Sequence, residues 1–235
     1  MSAGEGAVPG EGAAAGEQPV FRIAVLASGS GSNLQALIDQ VHGRADGGAA
    51  PAVPMPPAPR IEIGLVISDN PGARALQRAT HAGIPTATLP PADYQDREQH
   101  DLAVVATLVA AEPDLVVLAG YMRIVAPSLL KAFPYRVINL HPALLPAFPG
   151  THSIADAVRY GVKVTGVTVH FVDPGVDTGP IIAQEAVVVE EGDTAETLGA
   201  RIHAVEHRLL PYVVCLIAAG RVRPPLPGIR VVRVD

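Results

Sequence analysis

The sequence predicts an α/β protein: a doubly wound, mostly parallel sheet with helices on both faces and a long C-terminal helix. Two observations carry this. Short apolar runs alternate with helical stretches from residue 21 onward, as in successive βαβ units. Several of those runs are apolar throughout, as strands covered on both faces are. The length agrees, because 235 residues can form one large α/β domain or two small ones and bury about 70% of the unfolded chain's surface. A composition 49% hydrophobic and 17% charged is that of an ordinary globular protein and excludes a mostly disordered chain.

Each element follows from its residues. FRIAVLA (21–27) is a short apolar strand, and the glycine turn SGSGSN leads from it into the helix NLQALIDQVH (33–42). RIEIGLVIS (60–68) is a second strand, PGARALQRATHAG (71–83) a second helix and IPTATL (84–89) a shorter third strand. DREQHDLAVVATLVAAE (96–112) is helical, DLVVLAG (114–120) is a buried strand, and APSLLKAF (126–133) is a helix leading into the strand YRVINL (135–140). A proline-rich loop, the helix SIADAVRYG (153–161) and the paired strands KVTGVTVHFV (163–172) and PIIAQEAVVV (180–189) come next. A long helix (193–220) closes the domain, with Thr194 placed to cap it. Residues 1–19, almost entirely Gly, Ala, Glu and Pro, read as a disordered extension. Residues 43–59 read as a long Pro/Gly-rich surface loop, so the domain spans 20–220 and residues 221–235 form a tail.

The formal charge of −6 gives no broad basic surface, so nucleic acid is not an expected partner. A single cysteine, Cys215, excludes an intrachain disulfide and a cysteine metal cluster. No apolar run reaches the roughly 18 to 20 residues that span a bilayer, and the N-terminus lacks the features of a secretory signal. A cytoplasmic protein without membrane partners is expected.

In such a sheet, ligands bind outside the carboxyl ends of the strands, which brings loops 28–33, 119–125 and 139–150 to one edge. Gly29 and Gly31 in SGSGSN allow close ligand approach, and the amides of Gly31, Ser32 and Asn33 can converge on an anion at a helix start. A plain tight turn is the alternative. A P-loop fits worse because Asn33 and Leu34 follow Ser32, and so does a dinucleotide fingerprint because Leu34 stands in place of its third glycine. A mononucleotide phosphate suits the loop better.

Asn139 and His141, two apart on a strand, project to one face, and Pro142 ends the strand there. They form either a ligand-facing pair or a satisfied structural one. Asp173 and Asp177 lie in the glycine-rich turn HFVDPGVDTGP, where an Asx turn is one reading. The other is a carboxylate that orients His141 and favours its charged form. Asn, His and Asp without a nucleophilic Ser or Cys point to direct transfer through a tetrahedral intermediate. His170, His203 and His207 do not make a metal site, since no HExxH arrangement or further ligand accompanies them.

Four segments, SGSGSNLQALI, LAGYMRIV, INLHPALLPAFPG and GVTVHFVDPGVDTGPII, occur in this order and resemble the phosphoribosylglycinamide formyltransferases of purine synthesis. The resemblance runs from about residue 21 to 220 and implies a Rossmann-like formyltransferase fold. It also implies transfer of a formyl group from the co-substrate 10-formyltetrahydrofolate to the amine of glycinamide ribonucleotide, without a metal, by a monomer or homodimer. By it, Asn139, His141 and Asp177 match the catalytic residues, while Gly31, Ser32, Asn33 and Glu206 match the ribonucleotide site. Arg97 and Met122, Arg123, Ile124 and Val125, with Asn139, match the folate site. Ala147, Thr151 and Ile154 depart from the family pattern, and the extension and the 43–59 loop have no counterpart in it. The rival readings are a formyl-folate hydrolase, a formyltransferase acting on initiator tRNA, for which the basic domain is missing, and a binding module without turnover.

Overall fold

The computed structural model describes residues 20–43, 54–226 and 229–235. The expected N-terminal extension and the centre of the 43–59 loop lie outside the described residues. Seven strands form one sheet: β1 (Phe21–Leu26), β2 (Ile61–Ser68), β3 (Thr86–Thr88), β4 (Leu115–Leu118), β5 (Val137–His141), β6 (Val164–Phe171) and β7 (Ile181–Val188). Their order is β3-β2-β1-β4-β5-β6-β7. Pairings from β3 through β5 are parallel, whereas β6 runs antiparallel to both β5 and β7. The 172–180 connection explains the reversal at β7, since a parallel crossover takes about a dozen residues or more.

Strand alternation feeds two cores. Ile23 and Val25 of β1 face one cluster with Leu34 and Leu37 of α1 (Ser32–Gln40) and Ala75 and Ala79 of α2 (Arg74–His81). Ala157 of α5 (Ser153–Tyr160) and the apolar face of α6 (Ala195–Ala218) complete that side. Ala24 and Leu26 face the other cluster, with Val104 and Leu108 of α3 (Arg97–Ala111) and Leu129 of α4 (Pro127–Ala132). Helices therefore cover both faces.

Among the differences from the sequence reading, two lie at the ends of α1 and of the chain. α1 stops at Gln40 because His42 joins the sheet edge in a bridge to Ile61, where its Nδ1 accepts from the Ile63 amide at 3.0 Å. The tail is not featureless: β8 (Val222–Arg223) and β9 (Arg233–Val234) pair antiparallel, with Arg223 on Asp235 at 2.6 Å.

α6 is capped as expected. The Thr194 hydroxyl accepts from the Thr197 amide at 3.3 Å, and the Thr197 hydroxyl accepts from the Thr194 amide at 3.0 Å. Pro211 lies inside the helix and, having no N–H, leaves the His207 carbonyl without its usual helical donor. Gln40 of α1 supplies the missing bond, its Nε2 donating to that carbonyl at 2.7 Å. Gln40→Ala strands the carbonyl and is expected to cost about 1–2 kcal/mol. Thermal unfolding checks this, at roughly 2–4 °C of Tm per kcal/mol for a chain of this size.

The strand order reverses between β1 and β4, which opens a crevice at the carboxyl edge. Its two lips are tied together. The Ser28 amide donates to the Gly120 carbonyl at 3.0 Å, and the Met122 amide donates to the Ser28 hydroxyl at 3.0 Å.

Candidate active site

β5 ends in the crevice. Ile138 and Leu140 are buried in the core, so alternation leaves Asn139 and His141 lining the cleft. His141 is only 4% exposed. Its Nε2 donates to the Phe148 carbonyl at 2.8 Å, and its Nδ1 faces Asp177 Oδ2 at 3.3 Å. Both ring nitrogens meet acceptors, and only a doubly protonated imidazole can donate to both.

The Phe148 carbonyl is in place because the 142–150 loop is pinned to the sheet. Thr168 of β6 donates its hydroxyl to the Ala143 carbonyl at 2.7 Å and accepts from the Leu145 amide at 3.1 Å. Gln184 of β7 donates to the Leu145 carbonyl at 2.9 Å.

The two aspartates of the 172–180 turn part company. Asp173 closes an Asx turn, accepting from the Gly175 amide at 3.1 Å and the Thr178 hydroxyl at 2.6 Å. Asp177, at φ 52, instead points inward. Its Oδ2 accepts from the Gly150 amide at 2.8 Å, and its Oδ1 faces Asn139 Nδ2 at 3.4 Å. Gly179 lets the turn close: a Cβ there would lie 1.6 Å from the Phe171 carbonyl oxygen.

Asn139, His141 and Asp177 thus converge at one end of a cleft of about 220 Å³, whose apolar walls include Leu118, Val125, Val172 and Val176. Met122 and Ile124 sit at its rim, largely exposed, and Arg123 lines it beside Tyr121. Burial, reinforced by Asp69, pushes the Tyr121 phenol up to about 12, so it stays neutral. Arg97 does not line the cleft. It supports the rim from behind, donating to the Ile124 carbonyl at 3.1 Å.

On the other lip, Gly31 takes the left-handed conformation, φ 68 and ψ 28, as the N-cap of α1. A Cβ would fall 2.7 Å from Ala75 Cα. Gly29 does not use that region. The first helical bond runs from the Gln35 amide to the Gly31 carbonyl, so the amides of Gly31, Ser32 and Asn33 lie ahead of it, free for an anion. Asn33 is held by Glu206 of α6, 4% exposed, whose Oε2 accepts from Asn33 Nδ2 at 3.0 Å and from His203 Nδ1 at 2.8 Å. That bond to Glu206 raises the His203 pKa against the opposing effect of burial. Gly31→Ala is expected to displace α1 from α2 and raise the KM for a phosphorylated substrate at least tenfold, with a smaller effect on kcat. Steady-state kinetics on that substrate checks it.

Residues 21–214 match the formyl transferase family. The chain belongs to this family. It is 48% identical over 197 residues to the phosphoribosylglycinamide formyltransferase of Mycobacterium tuberculosis, covering 84% of this chain and 85% of that one. Identity to the Bacillus subtilis phosphoribosylglycinamide formyltransferase is 41% over 194 residues, 82% and 92% of the two chains. The crystal structure of glycinamide ribonucleotide transformylase 1 from Symbiobacterium toebii superposes with a TM-score of 0.81 at 47% identity, over 92% of this chain and 94% of that one.

In this formyl transferase chain several site groups escaped sequence reasoning. The Phe148 carbonyl and Gly150 amide contact His141 and Asp177 through the backbone, which leaves no residue-type signal. Thr168 and His170 had one, as polar residues at alternate positions in the mostly apolar second half of β6. Among the described residues, no group of three or more His, Cys, Asp or Glu is placed to hold a metal, and no helix is long and apolar enough to cross a membrane.

Proposed function

We propose that this chain transfers the formyl group of 10-formyltetrahydrofolate to the amine of glycinamide ribonucleotide, giving formylglycinamide ribonucleotide and tetrahydrofolate in purine synthesis. The observation that carries the reading is the convergence of Asn139, His141 and Asp177 beside an anion cradle on the same sheet edge. The names of relatives at 41–48% identity support it. The folate is a substrate consumed at each turnover, and the apolar cleft walls with the Met122, Arg123, Ile124 and Val125 rim suit its flat ring system. Gly31, Ser32 and Asn33 hold the ribonucleotide phosphate, Glu206 orients Asn33, and Arg97 steadies the folate rim. With a phosphorylated substrate that does not cross membranes, the setting is the cytoplasm.

The reacting amine attacks the formyl carbon and the formyl oxygen gains negative charge. Because His141 Nε2 is held by Phe148, Nδ1, which rests on Asp177 Oδ2 at 3.3 Å, is the nitrogen that turns its hydrogen to this oxygen, together with Asn139 Nδ2. Donors aimed at developing charge are usually the largest catalytic term. Asp177 orients the His141 ring and assists movement of the proton lost by the amine to the folate nitrogen that leaves, through water. One C–N bond forms, one breaks, and one proton moves from the amine to the folate nitrogen.

Following folate deformylation with and without glycinamide ribonucleotide tests the reading. Turnover that requires the ribonucleotide is expected, and turnover independent of it would indicate a hydrolase. Glu206→Gln is expected to raise the KM for the ribonucleotide about tenfold, the scale of one charged hydrogen bond, with kcat within a few-fold of wild type in the same assay.

A further inference from the structure

His170 of β6 touches the site without belonging to the three residues at its centre. It is 2% exposed. Its Nδ1 lies 2.9 Å from the Phe171 carbonyl oxygen, which can only accept, so Nδ1 carries a hydrogen. Its Nε2 lies 3.3 Å from Asn139 Nδ2. On the same side, Asn139 Nδ2 meets Asp177 Oδ1 at 3.4 Å. An amide set between two acceptors must present its nitrogen there, and a neutral His170 with its lone pair on Nε2 is one of the two.

We propose that His170 is a positioning residue for formyl transfer: its Nε2 acceptor fixes the Asn139 amide so that an N–H, not the amide oxygen, faces the formyl oxygen. The inference rests on the function proposed above. If the amide turned over, Asn139 would aim an oxygen at developing negative charge and the donor would be lost. The hydrogen shared with Asp177 across 3.4 Å is the one released to substrate, while the hydrogen on His170 keeps the plane fixed.

This arrangement requires a neutral ring. Burial lowers the His170 pKa below the ordinary histidine value and His141 acts in the same sense, while the Phe171 carbonyl, Asp177 and Asp173 oppose them. The neutral form is the competent one, so activity is present above this lowered pKa and is lost as pH falls through it.

Two substitutions separate positioning from structure. In His170→Gln, Oε1 can stand in for Nε2. In His170→Asn, the amide can still donate to Phe171 but is too short to reach Asn139. Wild-type turnover with the ribonucleotide is measured first, and its absence rejects the function, not this inference. Given turnover, His170→Asn is expected to lower kcat about a hundredfold with KM within about threefold, His170→Gln to stay within about tenfold of wild type, and thermal unfolding of both to stay close to wild type. The His170→Asn effect should shrink below about threefold in an Asn139→Ala background, because neighbours acting as a unit are not additive. The acid limb of the kcat pH profile should move to lower pH in His170→Gln. Equal losses in the two variants, an undiminished effect in the Asn139→Ala background, or an unmoved acid limb would each overturn the proposal.

Discussion

His141→Ala is expected to lower kcat by about 10²- to 10³-fold, the usual cost of one oxyanion donor, while the KM for each substrate stays within a few-fold. The separation follows from where the ring sits. His141 is held by Phe148 on one side and Asp177 on the other, in a cleft whose lining does not include Gly31, Ser32 or Asn33 of the cradle. An interaction made only as charge develops lowers kcat and kcat/KM together. Asp177→Asn keeps the shape of the carboxylate but removes its charge, and a kcat loss of the same order is expected. Steady-state kinetics over both substrates checks the pair, and near-normal turnover in either variant removes these residues from the chemistry.

Gly179→Ala is expected to have the second largest effect, acting on stability and rate at once. Its Cβ would enter the Phe171 carbonyl at 1.6 Å, a backbone obstacle that no side-chain rotamer relieves. The neighbouring bond from the Phe171 amide to the Pro180 carbonyl, 2.9 Å, shows how closely β6 and the start of β7 approach. The turn must move outward, taking Asp177 from His141. A cost at or beyond the usual 1–3 kcal/mol of overpacking predicts a Tm fall of roughly 2–4 °C per kcal/mol, together with a kcat loss of about a hundredfold. Calorimetry and the turnover assay on the same preparation check both. An unchanged Tm with full activity contradicts the close approach.

Much of this architecture was legible because both cores are built from period-two strands. The runs around Ile23, Val66, Val117 and Ile138 are apolar on both faces, which identifies central strands without any tertiary information. The long connection from His141 to Val164 did not disclose that β6 runs against β5, because direction in a sheet is decided by long-range packing. β3 shrank to Thr86–Thr88, since only those residues pair with β2. Within the site, Asn139 and His141 were readable from strand periodicity and Pro142. Asp177 was not separable from Asp173 by pattern: both are aspartates in one glycine-rich turn, and only the fold directs one to an Asx turn and the other to His141. Phe148 and Gly150 act through carbonyl and amide, groups every residue carries.

The central claim is direct passage of the formyl group to the ribonucleotide amine at Asn139, His141 and Asp177. The most direct measurement supplies 10-formyltetrahydrofolate labelled with ¹³C in the formyl carbon, with glycinamide ribonucleotide and enzyme, and follows the label by NMR. Label appearing in the formamide of the ribonucleotide, matched by tetrahydrofolate and absent from His141→Ala over the same interval, is the predicted result. Label collecting in formate, or attached to the protein before it reaches the ribonucleotide, would contradict the account.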